Sequence, residues 1–161
     1  MTLAFRGDAP PDILIEQAVD RAISAGFRLP RWGWPIPGPY NGANGRERIV
    51  AWQKVRVAQS LGMLEEEHHC GLCRSREAAH LHGEIYFRPL AVRAICRSCH
   101  FHIHKRFQRP DLWAAKLAEF TGAEAWVRSL RTVELSRSEA LAISRQPDVF
   151  AVLAQPHQCS L

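Results

Sequence analysis

At 161 residues the chain has the size of one domain, or of a small module with helical flanks. Apolar residues make up 47% of it, yet no run approaches the roughly 20 that a membrane helix needs. Residues 1–11 lack the apolar stretch of a secretion signal, so the sequence predicts a cytoplasmic protein with no membrane partner. The net charge of +5 is unevenly spread: residues 70–109 hold eight basic and two acidic residues, whereas the segments on either side are close to neutral. A basic patch confined to one segment is the electrostatic footprint of a polyanion binder.

In chain order, residues 11–25 have apolar positions at helical spacing, with Pro11 and Asp12 at the start and Gly26 at the stop. A Pro/Gly/Trp-rich stretch, residues 28–45, reads as a loop. There Arg28, Arg31, Trp32 and Trp34 interleave basic and aromatic side chains. Such loops can hold phosphates and stack bases, but packing of the tryptophans over a small core is the favoured reading. Residues 48–61 predict an amphipathic helix ended by Gly62. Residues 84–87 and 92–95 predict short strands on either side of Pro89. A helix is expected over 100–107 with Pro110 as its stop, then helices over 111–122, 123–131 and 137–145. Phe87, Ile95 and Ile103 are read as core, and the helices over 111–145 as a cover for the middle segment or the surface of a homo-oligomer.

Four of the five cysteines form two C-x-x-C pairs, Cys70–Cys73 and Cys96–Cys99; Cys159 stands apart as a free thiol. Paired C-x-x-C knuckles present four thiolates, the tetrahedral set that structural Zn²⁺ prefers. A redox pair needs only one such motif. His68 and His69, directly before Cys70, are alternative ligands but read as exposed. Seven of the eight histidines lie between residues 68 and 104. His100 and His104 are four apart and share one face of a helix, while His102 points elsewhere, toward a phosphate or solvent. His80 and His82 share one face of an extended segment.

The pattern C70-x-x-C73, H80-L-H82, Y86-x-x-P89 and C96-x-x-C99-H100-x-x-x-H104 resembles the zinc-knuckle subtype of HNH (His-Me finger) endonucleases over about residues 70–107. The resemblance implies an α+β protein: a small zinc-stabilised ββα-metal finger (67–109) between an N-terminal helical and loop extension (1–66) and a C-terminal helical extension (110–161). It implies hydrolysis of DNA phosphodiester bonds, with His100 and His104 on a catalytic divalent ion (Mg²⁺, Mn²⁺, Ni²⁺ or Zn²⁺). In that family the first strand supplies a third ligand and an adjacent base. Here position 79 is Ala, and one of His80 and His82 is the base and the other a ligand, or both are ligands. The Asn of the family name has no counterpart between residues 46 and 161. Arg74, Arg76, Arg88, Arg93, Arg97, Lys105 and Arg106 are the expected phosphate contacts. Tyr86 and Pro89 are expected to brace the turn and pack on the zinc module. The competing readings are a non-catalytic zinc-ribbon module that binds nucleic acid and a zinc-stabilised protein adaptor.

Overall fold

A computed structural model describes residues 11–65, 68–75 and 80–155. The protein is α+β: seven helices and one two-stranded antiparallel sheet are found among these residues. The helices are α1 (Pro11–Ser24), α2 (Gly45–Ser60), α3 (Arg97–Lys105), α4 (Pro110–Glu119), α5 (Ala125–Arg128), α6 (Arg137–Ser144) and α7 (Val149–Leu153). The strands are β1 (His80–Gly83) and β2 (Val92–Ile95), so the order through the middle of the chain is strand, strand, helix. No helix among the described residues is long and apolar enough to cross a membrane.

The chain forms two compact units, and they do not follow the three consecutive segments expected from sequence. One gathers Met1–Glu66, Gly83–Ala91 and Leu135–Pro147; the other gathers Glu67–His82, Val92–Glu134 and Asp148–Leu161. The reason lies in the connection between the two strands. Residues 84–88 were expected to begin with a strand but form turns, because their polar side chains are committed to first-unit partners. Buried Glu84 accepts hydrogen bonds from Tyr40 Oη (3.0 Å) and Asn41 Nδ2 (2.7 Å). Tyr86 lies edge-on to Tyr40 and within cation–π reach of Arg48. Buried Arg88 donates to the carbonyls of Ser144, Gln146 and Pro147 and pairs with Asp12 at 2.7 Å.

In the first unit α1 packs on α2 through Val19, Val57, Ala58 and Leu90, with Ile15 and Ile23 beside them. Asn44 starts α2 three residues before the expected position. Its side chain accepts from Glu47 N while Glu47 accepts from Asn44 N, a reciprocal cap that the Asn-x-x-Glu spacing encodes. Gly42 has φ +76°, and a Cβ there would collide with the Arg137 backbone, so both the turn and the close approach require glycine.

In the second unit Leu72, Ile95, Ile103, Trp113, Trp126, Val127, Phe150 and Leu153 are buried. Ile95 and Ile103 are the core positions expected; Phe87, in the other unit, is only half-buried, with Arg137 over its ring at 4.9 Å. Pro110 does not end a helix but opens α4, because its missing N–H falls in the first turn, where no intrahelical partner is needed.

Candidate metal centres

The first knuckle is a tight turn. Cys70 N donates to Ser75 O and Arg74 N to Cys70 O, both at 2.9 Å, and Arg74 takes a left-handed φ of 61° to close it. Gly71 N donates to Ala94 O, tying the knuckle to β2. The second knuckle is the start of α3: Cys96 is its N-cap, in extended conformation, and Cys99 lies in the first turn. This places α3 three residues earlier than expected from sequence.

The four Sγ atoms all lie within 4.8 Å of one another, with Cys73 and Cys96 at 3.9 Å. Zn–S bonds of about 2.3 Å in a tetrahedron separate the sulfurs by about 3.8 Å, so the donor set fits a metal ion such as zinc. The thiols differ in acidity. Burial pushes Cys70 up, and burial together with the neighbouring thiols pushes Cys99 well up. Burial also acts to raise Cys73, but hydrogen bonds from Ser75, Cys70 and Cys99 outweigh it and bring that thiol down to about 7. His68 and His69 are exposed and stand outside this cluster.

A second group forms from His82, His100 and His104, whose ligand nitrogens also lie within 4.8 Å of one another. His82 lies on β1 and is fully buried; His100 and His104 sit one turn apart on α3, with their Nε2 atoms 3.0 Å apart. Metal–nitrogen bonds of about 2.0–2.1 Å place tetrahedral ligands about 3.3 Å apart, so three imidazoles in this arrangement suit a divalent ion. His80 is exposed, and its ring lies 5.5 Å from that of His100, against 5.2 Å for His82. Both histidines of β1 therefore face α3, as the strand period requires. His102 lies against Phe101.

Sequence reasoning passed over two residues that join these clusters. Trp126 packs on the first knuckle so closely that a Cβ on Gly71 would stand 2.6 Å from its ring, and the same ring stacks on His82 at 6.1 Å. Glu124 accepts from Trp126 Nε1 at 2.8 Å, donates its own N–H to Gly71 O and pairs with Arg74. Tryptophan in a segment read as covering helix was the available signal, but nothing in the sequence says which loop it covers.

The expected phosphate contacts divide sharply. Arg97 and Lys105 are exposed on α3, and Arg74 is exposed beside Glu124. Arg93 is half-buried, 4.4 Å over the ring of Phe150. Arg88 and Arg106 are buried, with donors engaged inside the protein: Arg88 on carbonyls and Asp12, Arg106 on the carbonyls of Arg131 and Ile103. A guanidinium with five donors serves as well to tie internal carbonyls as to bind phosphate, and a charge count cannot separate the two uses. Arg76 and Cys159 lie outside the described residues.

No family profile, curated protein or solved structure matches the chain.

Proposed function

We propose that the protein is a metal-dependent endonuclease of the HNH type that hydrolyses DNA phosphodiester bonds. The observation that carries this reading is the convergence of His82 with His100 and His104, on a strand and on a helix whose start is fixed by a cysteine cluster. Strand, strand and helix in this order are what the HNH resemblance leads one to expect of a ββα-metal finger. Zinc is the ion we assign to Cys70, Cys73, Cys96 and Cys99. His82, His100 and His104 would hold the second ion, which when bound supplies positive charge to offset the charge developing on the phosphodiester.

In this reading His82 is a ligand and His80 is the base. His80 takes a proton from water, the water oxygen attacks phosphorus, and the leaving sugar oxygen departs with its proton supplied by solvent. The exposed Arg97 and Lys105 hold the flanking phosphates. One departure favours the alternative, a nucleic-acid-binding zinc ribbon with a degenerate site: position 79 is Ala and His80 and His82 are not adjacent, where the family pattern sets a ligand beside the base.

Supercoiled plasmid incubated with the zinc-loaded protein and Mg²⁺, Mn²⁺ or Ni²⁺ tests the proposal. Nicking is expected from the wild type and lost in His100→Ala/His104→Ala. It is also expected to be lost in His80→Ala, which keeps the second ion. Absence of nicking with every ion, from folded protein, leaves the binding module as the function.

A further inference from the structure

The first unit carries a basic pocket that the metal chemistry does not use. Residues Phe27 to Arg31 form one wall and Arg56, Val57 and Ser60 of α2 the other of an open groove of about 330 Å³. Among the described residues its lining contains three guanidiniums, those of Arg28, Arg31 and Arg56, and no carboxylate. The nearest acids along α1, Glu16 and Asp20, are both occupied by Lys54 at 2.8 and 3.0 Å.

The wall is held in place. Phe27 N donates to Ala22 O at 2.9 Å, Gln53 Nε2 to Pro30 O at 3.0 Å and Arg48 Nη1 to Gly38 O at 2.6 Å. Prolines at 30, 35, 37 and 39 stiffen the same stretch. An aromatic cluster is built from residues next to the pocket's arginines in the chain. Trp52 stands one turn before Arg56 on α2, and Trp32, next to Arg31, meets it edge-on at 5.1 Å. Trp34 packs edge-on against Trp32 at 5.1 Å and still exposes 65% of its surface. Packing of Trp32 and Trp34 is the favoured sequence reading of this loop, but Trp34 stays exposed.

We infer that this surface binds single-stranded nucleic acid, with backbone phosphate on Arg28, Arg31 and Arg56 and a base stacked on Trp34. Guanidiniums pair with phosphate through two parallel hydrogen bonds, and an exposed indole accepts any unpaired base. A duplex keeps its bases stacked on one another and offers the indole no face, so the platform selects single strands. The inference does not depend on the histidine cluster being catalytic.

The test measures anisotropy of a labelled oligodeoxythymidylate about 16 nucleotides long against the full zinc-loaded chain over a salt series. Arg28→Ala/Arg31→Ala/Arg56→Ala is expected to lower the slope of log affinity on log salt by about 2, since each lost single-strand phosphate contact removes about 0.7. Trp34→Ala is expected to weaken binding about tenfold and remove tryptophan quenching, with the slope unchanged. All the substituted side chains are exposed, and circular dichroism checks that each variant is folded. His100→Ala/His104→Ala is expected to bind like the wild type, which separates this inference from the nuclease proposal. An unchanged slope in the arginine variant overturns it. So does competition by inorganic phosphate or thymidine monophosphate as strong as by the oligomer, which would make the pocket a small-anion site. Duplex binding of equal strength, indifferent to Trp34, overturns it as well.

Discussion

The thiol cluster and the imidazole cluster both reach their positions through α3, but they relate to that helix differently. Cys96 caps its first turn and Cys99 lies within it, so the sulfurs set where the helix begins. His100 and His104 ride on the turns that follow and are placed by that beginning. Cys99 and His100 are neighbours in sequence, and the helical advance of about 100° per residue sends them to different clusters. The comparison teaches that one short helix can carry two candidate metal-binding clusters, the thiols at its first turn and the imidazoles on the turns that follow. The Cys70 and Cys99 thiols, pushed up by burial, resist ionisation until a metal displaces their protons.

The contrast can be broken most forcefully at the thiols. Cys99→Ser, or chelation of a metal held by the four thiols, is expected to unfold the second unit, because a structural zinc ion there would supply on the order of 10 kcal/mol of folding free energy. Circular dichroism and metal stoichiometry read this directly. If His100→Ala/His104→Ala unfolds the chain as completely as Cys99→Ser, the two clusters do not differ in their part in folding. A smaller effect is expected at the residue that touches both clusters. Trp126→Ala should cost about 3 kcal/mol in denaturant unfolding, as large aromatic truncations in cores do. It should also weaken divalent-ion binding at the histidines about tenfold, read by calorimetric titration, because His82 loses the ring that orients it.

The smallest expected effect lies in the other unit, where an ion pair joins Glu47 of α2 to Arg137 of α6. The side-chain hydrogen bond from Arg137 holds the Glu47 carboxyl below its ordinary 4.5, with a further contribution from the Asn44 backbone. The folded state therefore binds that proton less readily than the unfolded chain. The stabilisation is present above about pH 4.5 and is lost as pH falls through the lowered folded value. Glu47→Gln should flatten the acid limb of a stability–pH curve without changing metal content. An unchanged limb would mean that solvent screens the pair completely.

The cysteine spacing, the helical spacing of His100 and His104, and the period of α1 and α2 were legible in the sequence, because each is a local rule. A C-x-x-C turn, a four-residue step and an apolar helical period need only their own neighbours. The sequence alone left His80 and His82 undivided between ligand and base roles. Both face α3, and which ring is buried against the other two depends on where β1 ends. Arg88 and Arg106 show the same limit from the other side. Their charge suggested phosphate, but carbonyls contributed by residues 144–147 and 131 claim their donors, and those partners are brought near only by the fold. The sequence by itself determined the donor chemistry and the local elements that present it. The tertiary structure alone decided which donors meet, which are buried and which arginines stay free for solvent, because those outcomes depend on contacts between residues far apart in the chain.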